Sequence, residues 1–169
     1  SSYISGTRYV LVGIPEDIGP RANCGRGGAD GGWQTFLSKF VNMQSNRYLI
    51  GNEVLVLGHV DLEDVVDGTQ SLDVAKDEDL LILRKKCAEI DSRVYQVVHA
   101  IVSAGMKPIV IGGGHNNAYP IIRATSDALK GSGRISESGI TAINCDPHLD
   151  FRALEGRHSG NPFSYAFDQ

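Results

Sequence analysis

The sequence is poor in cysteine. Its 169 residues hold three, Cys24, Cys87 and Cys145, far apart and odd in number. No CxxC pair is present, so neither a disulfide framework nor a zinc knuckle is indicated, and a reducing compartment fits. Long apolar runs are also missing; none approaches the ~20 residues of a membrane span. The opening "SSYISGTRYV" lacks the basic and apolar regions of a signal peptide. A cytoplasmic protein with no membrane partner is therefore expected. Positive charge is in deficit: 16 Lys and Arg face 20 Asp and Glu, a net charge of −4. That provides no basic field for nucleic acid. Neither GxGxxG nor a GxxxxGK phosphate loop occurs, which leaves a nucleotide site with little support.

What is present has the composition of an ordinary globular protein, 41% apolar and 21% charged. The length suits one domain, residues 1–169. "RYVLVGIP" (8–15) reads as a buried strand, followed by a glycine-rich loop, "GPRANCGRGGADGG". Trp33, Phe36, Leu37, Phe40 and Val41 then recur at helical spacing. "EVLVLGHV" (53–60) is a second strand, and the acidic stretch between Asp61 and Asp79 reads as solvated surface. Leu80, Leu83, Cys87, Ile90, Val94, Val97 and Ile101 step by three and four, predicting a long helix stopped by Gly105. "KPIVIGGG" is a third strand, "NAYPIIRATSDALK" a helix with Pro120 in its first turn, and "GITAINC" a fourth strand. Strands that alternate with helices and are apolar on both faces predict an α/β fold, a doubly wound parallel sheet with helices on both faces.

In such sheets, sites form at the carboxyl ends of strands. The unusual residues cluster at those ends. "GGGH" follows the third strand and brings His115 there; "DPHLD" follows the fourth with Asp146, His148 and Asp150. Alternate positions of a strand share a face, and converging carboxylates repel unless a cation lies between them. A solvated turn capped by Asp146 would explain "DPHLD" alone. With His115 at a neighbouring strand end, a divalent cation explains it better. Carboxylate and imidazole without thiolate suit Mn²⁺, Fe²⁺ or Zn²⁺ rather than Ca²⁺ or structural zinc. Cys145, alternating with Asp146, is expected to face away. Beyond lies "EGRHSGNPFSYAF", where His158 is a candidate proton shuttle and Ser159 and Asn161 are candidate substrate contacts; a polar turn is the plainer reading.

These stretches together resemble the ureohydrolase family of arginase, agmatinase and formimidoylglutamase. The first loop carries Gly13, Asp17, Gly19, Asn23, Gly25, Arg26 and Gly28 in place. "GGGHNN" is similar to the family's glycine–glycine–x–histidine motif, "NCDPHLDFR" to Asp-x-His-x-Asp with Pro147 for the usual Ala, and "HSGNPFSYA" to the substrate loop. The resemblance runs from about residue 9 to 166. It implies two Mn²⁺ ions and hydrolysis of an amidine or guanidinium carbon–nitrogen bond. By motif position His115 and Asp150 would hold one metal, His148 the other, and Asp146 would bridge. Asp150 and His158 would be catalytic, with His158 delivering the proton, and Asn23, Arg26, Ser159 and Asn161 would contact substrate. The "SGNPF" and "NCGRGGA" runs look most like formimidoylglutamase, whose dicarboxylate substrate needs cationic partners; arginase or agmatinase is the alternative. Arg21, Arg26, Arg152 and Arg157 are the candidates, each with a local acid as the plainer explanation.

The resemblance is incomplete. The family's later Ser-x-Asp-x-Asp motif has no counterpart; "DED" at 77–79 opens the long helix and cannot serve. The chain is therefore expected to be the N-terminal portion of a longer enzyme, inactive and poorly stable by itself. A short non-catalytic binding module is the competing reading. A relative of the acyl-lysine deacetylases is weaker, because "GGGHNN" has one histidine where that family pairs two. The expected partners are a small amidine or guanidinium substrate, further copies of the chain in a homo-oligomer, and the missing C-terminal half.

Overall fold

A computed structural model describes residues 6–136 and 139–168. Three parallel strands, β1 (Tyr9–Gly13), β2 (Val54–His59) and β3 (Lys107–Ile111), form one sheet in the order β2-β1-β3. In register, Leu11 stands opposite Val56 on one side and Ile109 on the other. The central strand, covered on both faces and both edges, meets no water, as its continuous apolar run requires. Val10, Leu11 and Val12 are all buried.

Val10 and Val12 face the larger helical layer. The long helix α4 (Asp77–Ser103) dominates it and packs on α1 (Ile18–Ala22) and α5 (Ala118–Gly131). Leu83, Cys87, Ile90, Val94 and Val98 form its buried stripe, each fully buried aliphatic side chain worth about 1.5–3 kcal/mol. Asp77, Glu78 and Asp79 complement the dipole at its N-terminus. At its C-terminus, Gly105 N–H bonds Val102 O and Met106 N–H bonds Ile101 O, a Schellman closure.

Leu11 and Gly13 point to the other face, where helix α2 (Gly32–Phe40) lays Trp33 over Gly13. A Cβ at position 13 would lie 2.3 Å from the indole ring. Gly13→Ala is accordingly expected to cost about 1–3 kcal/mol by overpacking. Trp33 is the sole tryptophan, so urea unfolding followed by its fluorescence measures the loss directly; a shift under about 0.5 kcal/mol would contradict this packing.

Several expectations shift. Val41, predicted on the apolar face, lies past the end of α2 and is 63% exposed. The glycine-rich loop contains the short α1, with Asp17 accepting from Gly28 N–H. The acidic stretch is anchored rather than wholly solvated: Val65 of its one-turn helix α3 (Glu63–Val66) and Leu62 just before it are buried, and Asp64 pairs with Arg93. The outer strands are not covered on both faces, and Val56, Leu57 and Ile109 are exposed. The fourth strand does not form. Residues 139–145 join no ladder, and Ile143 is 87% exposed. A cavity of about 470 Å³ separates residues 142–144 from β3. A strand exists only through hydrogen bonds to a neighbour, and here the apolar pattern has none.

Candidate metal centre

The chain leaves β1 toward β2 and leaves β3 toward α5, which opens a crevice at their carboxyl ends. After β3, Gly112 and Gly113 adopt φ of 84° and 75° and turn the chain into a helical turn, His115–Asn117. One buried carboxylate fastens this turn to the loop after β1. Glu16 accepts from Gly114 N–H (2.7 Å), Asn117 Nδ2 (2.7 Å), Gly19 N–H (3.0 Å) and Asn116 Nδ2 (3.3 Å). His115 is thereby carried on a backbone tied at both ends. Its ring also meets Phe163 of α6 (Pro162–Phe167) edge-on.

Asp146, His148 and Asp150 do not converge by strand alternation. They sit in a turn in which Asp146 Oδ1 accepts the His148 N–H at 2.7 Å. That amide is the main reason the Asp146 carboxyl is held below its ordinary range; the His148 and His115 rings add to it. Asp150 has φ of 50°. This left-handed conformation costs a non-glycine residue about 1–2 kcal/mol, least for Asp and Asn. It accompanies a carboxylate aimed at His115: Nδ1 of His115 lies 2.6 Å from Asp150 Oδ2 and 3.7 Å from Asp146 Oδ2. His115, Asp146 and Asp150 each offer a ligand atom, all within 4.8 Å of one another. His148 borders the same crevice with its side chain 78% exposed and its Nδ1 3.1 Å from Asp146 Oδ1.

A cavity of about 830 Å³ opens onto these groups, and Asn23, Ser159 and Arg152 line it as well. Cys145 is exposed and does not line it. Three of the sequence-predicted residues also lie outside its lining. Arg26 is exposed elsewhere on the loop. Asn161 is buried and bonded to Arg157, His158 N–H and the carbonyls of Ala153 and Gly156. His158 is fully buried, with Nδ1 accepting from Gly160 N–H and Nε2 3.2 Å from Glu155. Desolvation lowers the His158 pKa, against the pull of Glu155, which favours the neutral ring.

Beneath the cavity wall lies a second polar cluster. Arg157, 5% exposed, donates from Nε to Asp91 (2.6 Å), from Nη1 to Asn161 (2.7 Å) and from Nη2 to the Asn116 carbonyl (2.9 Å). Its guanidinium also lies over the rings of Tyr119 and Tyr165. The cluster ties α4, the His115 turn and the Ser159 loop together. Sequence reasoning missed Glu16 and Asp91. The only signal was at Asp91, a charge placed on the apolar helical stripe between Cys87 and Val94, which must find donors inside the fold.

The donor set and its spacing bear comparison with known proteins. The Arginase family profile matches residues 7–169. A formimidoylglutamase of Salmonella paratyphi B is 31% identical over 92% of this chain and 41% of its own length. One from Streptococcus gordonii is 27% identical over 98% of this chain and 43% of its own. The chain thus spans less than half the length of these curated relatives. Among solved structures, a Trypanosoma cruzi formiminoglutamase with Mn²⁺ superposes with a TM-score of 0.69 at 26% identity, covering 98% of this chain and 49% of that one. A putative agmatinase from Clostridium difficile, 17% identical with a TM-score of 0.63 over 98% of this chain and 51% of its own, shares the fold. With a profile match across nearly its whole length and the parallel sheet of these structures, the chain belongs to the arginase family.

Proposed function

We propose that the protein to which this chain belongs hydrolyses a carbon–nitrogen bond of a linear amidine, N-formimidoyl-L-glutamate, giving glutamate and formamide. The observation that carries this reading is the convergence of His115, Asp146 and Asp150 on one cavity. The names of the relatives support the choice of substrate.

The residues fit a divalent cation. Imidazole and carboxylate ligand atoms already lie within 4.8 Å of one another, and no thiolate is among them. Of the candidate ions, Mn²⁺ is supported by the ion bound in the solved relative. In this reading His115, Asp146 and Asp150 would hold a divalent cation, and His148, beside Asp146, would contribute to a second. When bound, the pair of ions supplies Lewis-acid activation of the attacking water. The chain's own residues do the rest. The His148 amide keeps Asp146 ionised, and Asn23 and Ser159 contact the substrate at the cavity wall. Water adds to the amidine carbon, the bond to the glutamate nitrogen breaks, and that nitrogen takes up a proton. His158 holds the Gly160 amide behind the wall and acts in this reading by positioning the substrate loop.

Metal titration by calorimetry and product analysis on the full-length protein test the reading. Mn²⁺ binding and formation of glutamate from formimidoylglutamate, exceeding urea formation from arginine or agmatine, are expected. His115→Ala is expected to weaken Mn²⁺ binding by more than the about 10- to 100-fold that loss of a supporting partner costs. Parental Mn²⁺ affinity in that variant, or urea from arginine as the main product, overturns it.

A further inference from the structure

A second cavity, of about 510 Å³, opens between α4, α5 and α6 and shares no lining residue with the crevice at the strand ends. The buried Asp91–Arg157 pair lines it, together with the rings of Tyr95, Tyr119 and Tyr165 and the half-exposed Arg123.

What this cavity can bind follows from which of its polar groups are already used. Its acceptors are spent. Both Asp91 oxygens take N–H groups of Arg157, at 2.6 and 3.3 Å, and Asp127 beside it takes the Tyr95 hydroxyl at 2.9 Å. Its donors are not spent. The Tyr119 oxygen accepts from Arg123 Nη1 and the Tyr165 oxygen from Gly156 N–H, each at 3.2 Å, but neither hydroxyl proton meets an acceptor among the described residues. Tyr119 is 7% exposed, so its proton has little water to turn to. Arg123 Nε lies 3.9 Å from Asp127, beyond hydrogen-bonding distance, and Nη2 makes no bond among the described residues. Unfilled donors set among tyrosine rings fit a carboxylate carried on a flat apolar body. The carboxylate takes the guanidinium edge and the phenol protons, and the body stacks on the rings.

Arg157 connects this cavity to the candidate metal centre. Its guanidinium lies over Tyr119 and Tyr165, 4.7 and 4.8 Å from the ring centroids. From there Nη2 holds the carbonyl of Asn116, the neighbour of His115, and Nη1 holds Asn161, which accepts the His158 N–H next to Ser159. A ligand that orders the two rings also orders the cation seated on them.

We propose that this cavity is a second ligand site, for a small aromatic carboxylate, and that filling it favours metal binding at His115 through Arg157. The site stands independently of the crevice; the coupling rests on the metal reading above. The probe is benzoate, which carries no amidine, titrated calorimetrically into the full-length protein with and without Mn²⁺. Binding is expected in both conditions. Tyr119→Phe and Arg123→Met are each expected to weaken it about 10-fold or more, as loss of a hydrogen bond to a charged group does, with Arg123→Lys intermediate. Coupling is reciprocal, so Mn²⁺ tightens benzoate binding by the factor by which benzoate tightens Mn²⁺ binding, about 5-fold at least. No benzoate binding by the parent overturns the proposal. So does benzoate that binds only with Mn²⁺ and equally well in both variants, since it is then a ligand of the metal. Equal benzoate affinity with and without bound Mn²⁺ overturns the coupling. Benzoate binding that needs Tyr119 and Arg123 in a protein that takes up no Mn²⁺ removes the metal reading and leaves the second site standing.

Discussion

Glu16→Ala is expected to destabilise the protein by about 3–5 kcal/mol, among the largest effects of any single substitution. The carboxylate is fully buried and has no cationic partner among the described residues. Four N–H donors hold it instead, two from the backbone and two from carboxamides. Removing it leaves buried donors on both loops without an acceptor, each costing about 1–3 kcal/mol. The effect reaches the candidate metal centre, because Gly114 immediately precedes His115 and is one of the groups released. Glu16→Gln keeps the shape but turns one oxygen into a donor that faces donors, so an intermediate loss is expected. Urea unfolding gives the stability and Mn²⁺ calorimetry the coupling to His115. A loss below about 1 kcal/mol in Glu16→Ala would refute the role assigned to the carboxylate.

Asp91→Ala is the second. It strands the Arg157 guanidinium in the interior, where breaking one side of a buried pair costs about 3–5 kcal/mol. Arg157→Met relieves the charge, but it forfeits the bonds to Asn161 and the Asn116 carbonyl, so the double variant recovers only part of the loss. The pair also sets a pH dependence. Burial pushes the Asp91 carboxyl from 3.8 up to about 6, against the pull of Arg157 and with help from Glu16. An acid whose pKa is raised by folding binds its proton more tightly in the native state. Its contribution is therefore most favourable below about 4, is withdrawn as pH rises through about 6, and is constant above. Asp91→Asn should abolish that step in a stability profile measured between pH 4 and 7. A profile of unchanged shape would place the ionisation elsewhere.

The local elements were legible to different degrees. Strands β1, β2 and β3 and helix α4 announced themselves through periodicity. The buried positions Leu83, Cys87, Ile90, Val94 and Ile101 were all among those read from the three-and-four spacing. Val97 was assigned to the same stripe, yet Val98 is the more deeply buried of the two, because the neighbouring α5 decides which flank of the stripe is covered. The segment 139–145 shows the opposite failure. Its apolar alternation is that of a strand, but alternation describes which faces a strand would have, not whether a ladder exists to hold it.

The site divides in the same way. His115, Asp146 and Asp150 could be singled out as candidates because imidazole and carboxylate groups are the donor types that hold a divalent cation, whatever encloses them. The left-handed turn at Asp150, the shielding of His158 and Asn161 behind the wall, and the place of Arg152 in the cavity lining, which Arg21, Arg26 and Arg157 do not share, were not. These depend on partners far away in the chain: Glu16 on Gly114, 98 positions on, and Arg152 on Asn23, 129 positions back.

By itself, then, the sequence determined the alternation of strands and helices, the family, and the set of potential metal ligands, because each is written in spacing and residue type along a short stretch. Only the tertiary structure decided which charges are neutralised inside and which one is left facing the cavity. The burial and pairing of a charged side chain are properties of the groups that surround it in space, and no local pattern carries that information.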